Sequence, residues 1–96
     1  MNNIRFEWDE KKNIFNFQKH KVSFEEAKSV FFDENARVIP DPEHSTLEER
    51  FIILGFSNKL NLLVVVHIYQ ENDEVIRIIS ARKATKRESK YYQEVK

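Results

Sequence analysis

The sequence predicts an α+β fold, a small antiparallel sheet in the order strand, helix, helix, three strands, helix. Three observations carry that prediction. Ile4-Arg5-Phe6-Glu7-Trp8 alternates apolar and polar residues at period two, the signature of a half-buried strand. Asp9 and Ser23 each offer an N-capping oxygen ahead of stretches free of Gly and Pro. Residues 61–90 then read as two long apolar strands joined by a polar turn and followed by a basic helix.

Taken in order, the first strand places Ile4, Phe6 and Trp8 on one face. A helix begins near Glu10 and ends near Lys19-His20-Lys21; its apolar Ile14, Phe15 and Phe17 form no clean stripe, but Ile14 with Phe17, and Phe15 with Val22, can lie on one broad side. Ser23-Phe24-Glu25-Glu26 is a capping box: the Ser hydroxyl accepts from the amide three residues on, and Glu26 reaches back. Phe24, Ala27, Val30 and Phe31 follow helical spacing, which buries one face and leaves Glu25, Glu26 and Lys28 exposed. Residues 33–44 hold both prolines and read as a surface connection, although Arg37-Val38-Ile39 has the composition of a short strand. Thr46-Leu47-Glu48-Glu49 is a second capping box, predicting one helical turn. The run 51–56 contains the only Gly of the chain, at 55, which inside a strand marks a bulge or a close backbone approach. Two further strands follow, 62–69 and 75–82, and Thr85-Lys86-Arg87-Glu88 caps the last helix.

Ninety-six residues suit one domain spanning 1–96. A hydrophobic fraction of 41% with eight Phe predicts a packed interior despite 33% charged residues. With no Cys there are no disulfides and no thiolate metal sites, and His20, His44 and His67 lack metal-ligand spacing, so neither a metal nor another cofactor is expected. The start has no signal-peptide pattern and no apolar run approaches the roughly 18 residues of a membrane span, which predicts a cytoplasmic protein. Net charge is zero but unevenly spread. Residues 23–50 carry eight acidic against three basic side chains, whereas 82–96 carry six basic against two acidic. The basic end can attract phosphates.

Candidate chemistry centres on His67 and Arg77, which interrupt the apolar runs of the hairpin. A turn centred on Asn72 pairs His67 with Arg77 and Val65 with Ile79, close enough on one face to act together. A slip of one residue would separate them. Arg82 has the opposite parity from Arg77 but lies at the strand end. A His beside an Arg suits an RNA phosphodiester: cleavage needs a base for the 2′-hydroxyl, a cation for the charge developing on phosphorus-bound oxygens, and an acid for the leaving oxygen. His67 can be base or acid, Arg77 grips phosphate, and Glu49 is a second candidate base. The structural alternatives are a hydrogen-bonded core His67, an ion-paired Arg77 and a surface Glu49-Arg50 pair.

These residues resemble the BrnT family of bacterial type II toxins over nearly the whole chain. The matching pieces are Phe6-Glu7-Trp8-Asp9, Asn16 with Lys19-His20, Val22-Ser23-Phe24-Glu25-Glu26-Ala27, Glu49-Arg50-Phe51, Leu54-Gly55, Leu63-Val64-Val65-Val66-His67, and Ile76-Arg77-Ile78-Ile79-Ser80-Ala81-Arg82-Lys83-Ala84-Thr85. The family commonly has Gly where this chain has Lys21. The resemblance implies a RelE/ParE-like fold and a metal-independent ribonuclease that arrests growth. It implies a BrnA-type antitoxin partner, through which alone operator DNA would be bound. Carried onto this chain, the pattern marks His20, Glu49, Arg50, His67, Arg77 and Arg82 as polar positions that could serve the site; His67, Arg77, Arg82 and Glu49 are the catalytic candidates, and His20 and Arg50, with Lys83 and Lys86 of the basic exit, are candidate RNA contacts. Two other functions fit the residues: a non-enzymatic module that binds through its basic C-terminal helix, and a ParE-like gyrase poison on the same fold.

Overall fold

A computed structural model describes residues 4–41 and 49–94. Its elements are β1 (Arg5–Glu7), α1 (Glu10–His20), α2 (Phe24–Ser29) with a 3-10 turn at Val30–Phe32, β2 (Arg37–Pro40), β3 (Phe51–Phe56), β4 (Leu62–Gln70), β5 (Val75–Lys83) and α3 (Lys86–Glu94). The strands form one five-stranded sheet in the order β1-β5-β4-β3-β2. The sheet differs from expectation in two ways. It is mixed, because β1 runs parallel to β5. It also gains β2, since Arg37-Val38-Ile39-Pro40 pairs antiparallel with β3 instead of crossing the surface. The second capping box falls largely on residues 42–48, outside the described residues.

Both predicted caps at the first two helices form. The Asp9 carboxylate accepts from the amides of Lys11 and Lys12, and the Ser23 hydroxyl accepts from Glu26 N–H at 3.0 Å. Lys21 ends α1 in the left-handed conformation, φ 60°, with its N–H donated to Phe17 O. That geometry costs a residue with a Cβ more than it costs glycine.

The core lies where α2 and the 3-10 turn cover the sheet, with Val22, Phe24, Ala27 and Val30 against Ile53, Leu63, Val65, Ile78 and Ala81. Two expectations about the helices are corrected. Glu26 is buried, because its carboxylate turns inward to accept from the Ser57 hydroxyl (2.7 Å) and the Asn61 amide (2.8 Å) and does not close the capping box. In α1 the apolar Ile14, Phe15 and Phe17 are exposed and the buried residue is Asn16. Beyond the short β1, the outer edge of β5 is open, and Asn16 serves as its missing neighbour. The Asn16 Nδ2 donates to the carbonyls of Ala81 (2.8 Å) and Val22 (2.9 Å), and its Oδ1 accepts from Ala81 N–H (3.1 Å). The Gly55 expectation holds as a close approach: a Cβ there would lie 2.9 Å from Ala36 Cβ and 3.0 Å from Asp33 Oδ2.

Helix α3 buries no residue and is held at its ends. At its start, Thr85 and Glu88 exchange the two bonds of a capping box. Near its end, the Tyr92 hydroxyl donates to Asp33 at 2.6 Å, and its ring meets Phe56 edge-on. Burial and then the Asp33 carboxylate push the Tyr92 hydroxyl up to about 12. Burial alone would raise Asp33, but hydrogen bonds from Tyr92 and from the Phe56 and Asn35 amides outweigh it and hold the carboxyl below its usual value.

Candidate functional site

The pairing of β4 with β5 decides where the polar residues point. It runs Val64 to Arg82, Val65 to Ala81 and Val66 to Ser80, then resumes as His67 to Ile78 and Ile68 to Arg77. Ile79 is therefore the extra residue of a β-bulge. Paired residues share a face, and successive residues of a strand alternate between faces. Arg77, opposite Ile68, and Arg82, opposite Val64, consequently share one face, and His67 lies on the other. The expected pairs of His67 with Arg77 and Val65 with Ile79 are corrected, since both assumed an unbroken ladder. The parity mismatch expected for Arg82 disappears for the same reason. Four residue steps along β4 separate the two arginines, about 13 Å at strand rise. The two guanidinium groups are turned to different carboxylates, Arg77 to Glu7 and Arg82 to Glu88.

His67 is fully buried. Its ring packs edge-on against Phe31 and Tyr69 and lies beside Phe51. Nδ1 is 3.3 Å from Val65 O and Nε2 is 3.3 Å from the Tyr69 hydroxyl. A proton on Nδ1 satisfies both contacts, with Nε2 accepting from Tyr69. Burial lowers the imidazole to about 4, against a smaller opposing effect of the Val65 carbonyl, so the ring is neutral at pH 7. Solvent is reached through Tyr69, whose own hydroxyl is pushed up by burial and by the nearby Asp73 carboxylate.

Tyr69 is the functional candidate that sequence reading passed over. The available signal was its place two residues from His67, hence on the same face of β4. Together with Glu49, Phe51, Ile68, Gln70 and Asp73 it lines a cavity of about 480 Å³ at the end of the sheet. Glu49 is exposed there. Ile68 lines the same cavity and is the residue paired with Arg77. Glu49 and Tyr69 thus converge on one end of the sheet, with the imidazole behind the tyrosine, whereas Arg77 lies on the opposite face and is turned toward Glu7 of β1.

The cations have partners. Arg77 Nη1 donates to Glu7 at 2.8 Å across the β1–β5 pair. Arg82 holds Glu88 with both terminal nitrogens, at 2.9 Å each. Hydrogen bonding to Arg82, stronger than the opposing burial, draws Glu88 down to about 2, and Arg82 is raised in return. Lys83 and Lys86 are exposed at the junction of β5 and α3. His20 is half-buried in the last turn of α1, one turn beyond Asn16. Arg50 is half-buried, and its carbonyl accepts from Asp41 N–H. Among the described residues, no group of three His, Cys, Asp or Glu is placed to hold a metal ion. No described helix is long and apolar enough to cross a membrane.

Residues 8–88 match the family described as "Ribonuclease toxin, BrnT, of type II toxin-antitoxin system". The chain belongs to the BrnT family. Its fold is also similar to the crystal structure of the Brucella abortus ribonuclease toxin BrnT, with a TM-score of 0.67 and 25% sequence identity over 86% of this chain and 99% of that one. No curated protein matches the chain. BrnT proteins are ribonuclease toxins of type II toxin–antitoxin systems, so an antitoxin partner comes with the family. The site must accordingly be read for RNA chemistry.

Proposed function

We propose that the chain is a single-domain, RelE/ParE-like endoribonuclease that cuts RNA in the cytoplasm at the end of the sheet where Glu49 and Tyr69 meet. One observation carries this reading: an exposed carboxylate, Glu49, and a phenol hydroxyl, Tyr69, line the same cavity. Glu49 takes the proton of a ribose 2′-hydroxyl, whose oxygen attacks the adjacent phosphorus. Arg77, on the opposite face at the β1 edge, exchanges Glu7 for another phosphate of the RNA backbone. Tyr69 gives its proton to the departing 5′-oxygen, leaving a 2′,3′-cyclic phosphate on one product and a 5′-hydroxyl on the other. His67 is a positioning residue in this scheme, because its ring touches Tyr69 and not the substrate. Arg82, about 13 Å along the same face, binds a neighbouring phosphate in place of Glu88. Lys83, Lys86, His20 and Arg50 extend the contact with the RNA backbone. Side chains supply both base and acid, which supports metal-independent cleavage. The partner is a BrnA-type antitoxin that carries the operator-binding function.

Cleavage of a defined RNA by purified protein, followed by mapping of new 5′ ends, tests the scheme. Glu49→Gln and Tyr69→Phe should each lower the rate at least 100-fold with the fold intact, Arg77→Ala should weaken RNA binding, and EDTA should leave the parental rate unchanged. Full activity in both Glu49→Gln and Tyr69→Phe would overturn the site assignment. Growth arrest with intact RNA would overturn the nuclease reading itself.

A further inference from the structure

The outer surface of α1 is at odds with an ordinary solvated helix. Asn16 faces β5, and at about 100° per residue Phe17, Ile14 and Phe15 fall on the opposite half of the cylinder. Their exposures are 51%, 52% and 64%. Lys11 lies between Ile14 and Phe15 on that surface, and the exposed Lys12 and Lys19 lie at its rim, beyond Phe15 on the side toward Asn16. Lys21 follows at the C-cap. None of these lysines forms an ion pair among the described residues. The acidic residue of the helix, Glu10, is instead engaged by Trp8 and Asn13. Three large apolar side chains beside unpaired cations form a surface that burial against an acidic amphipathic segment would stabilise.

From this geometry we propose that the outer face of α1 is the docking surface for an acidic amphipathic segment of the antitoxin. The proposal rests on the toxin reading above, which supplies the existence of a protein partner. The occupant's chemistry follows from the surface. Apolar side chains of the segment cover Phe17, Ile14 and Phe15, and its carboxylates meet Lys11, Lys12, Lys19 and Lys21. A single-stranded RNA is the weaker fit, because aliphatic Ile14 at the middle of the arc offers no ring on which a base can stack. The surface is also preformed. Both ends of α1 are capped and Asn16 pins it to β5, so little ordering cost opposes docking.

The test uses the full chain, purified alone and titrated with its cognate antitoxin, with RNA cleavage measured in parallel. The double variant Ile14→Glu/Phe17→Glu should weaken antitoxin binding at least 100-fold while cleavage by the free toxin stays at the parental rate. Lys11→Glu/Lys19→Glu should weaken binding about tenfold and flatten its salt dependence. Both pairs are exposed, and unchanged circular dichroism and melting temperature establish that the variants fold. Parental affinity in the Glu double variant would overturn the proposal. So would lost cleavage with antitoxin binding intact, which would make this an RNA surface, or self-association of the parent chain abolished by the variant, which would make it a dimer interface. A parent chain that neither cuts RNA nor binds the antitoxin would instead defeat the toxin reading on which the proposal rests.

Discussion

Replacing Asn16 by Ala tests the strut that fixes β5 beside Arg82. The parent side chain satisfies Ala81 N–H, Ala81 C=O and Val22 C=O, all from a residue that is 5% exposed. Truncation to Ala leaves those backbone groups without their partner, at about 1–3 kcal/mol for each buried group. Some rehydrate, because this edge of β5 faces the surface, so the net loss should be about 3–5 kcal/mol. A domain of this size has roughly 5–15 kcal/mol of stability to lose, which brings the variant near the folding threshold. Equilibrium urea unfolding, followed by the Trp8 fluorescence and far-ultraviolet dichroism in a Glu49→Gln background that spares the host, measures it. The midpoint should fall with little change in slope. Asn16→Asp keeps one acceptor but sets a negative charge against two carbonyls, so it should destabilise more at pH 7 than at pH 4. A loss below about 1 kcal/mol in Asn16→Ala would mean that α1 is held by other contacts and that the Asn16 strut is incidental.

His67 should make stability fall as pH drops below 6.5, its ordinary value, toward about 4, its value in the fold. The unfolded chain takes up a proton there that the buried ring refuses, a loss of about 3 kcal/mol across the window. His67→Phe should flatten that part of a melting-temperature profile against pH, and an unchanged slope would show that the imidazole titrates in the fold. Glu88 acts lower on the scale. Its carboxyl is held at about 2 against an ordinary 4.5, so its stabilising effect is complete above 4.5 and disappears as pH falls through 2. Partial exposure of both partners, 41% for Arg82 and 32% for Glu88, screens the pair to about 1 kcal/mol. Glu88→Gln should remove that increment in acid-titration melts and, by freeing Arg82, tighten RNA binding; weaker RNA binding would show that Glu88 helps to present the guanidinium. Gly55→Ala sets a methyl against Ala36 and Asp33 and should cost about 1–3 kcal/mol of overpacking in urea unfolding, whereas neutrality would mean that the β2 segment yields freely.

What local sequence controls was legible. The caps at Asp9, Ser23 and Thr85 place the starts of the three described α-helices, because each is decided by side-chain oxygens a few residues from the amides they satisfy. The period-two run at 4–8, the two apolar strands 62–69 and 75–82, and the close approach at Gly55 were readable for the same reason: the signal and its consequence lie on neighbouring residues. Order and spacing of the motifs also sufficed to place the chain in its family.

Only the tertiary structure decided the faces. One extra residue at Ile79 puts Arg77 and Arg82 on one side and His67 on the other, and a bulge leaves no mark in the alternation of a strand whose two faces are both partly buried. The free edge of β5 makes Asn16 a core residue and turns the apolar Ile14, Phe15 and Phe17 outward, an inversion that periodicity within α1 does not encode. Glu26 is drawn inward by Ser57 and Asn61, residues more than thirty positions away. Tyr69 becomes a candidate because folding brings it to Glu49 across a cavity and to His67 along a strand. Helix starts depend on bonds between near neighbours; the chemistry of the site depends on register, and register is set by every contact the sheet makes at once.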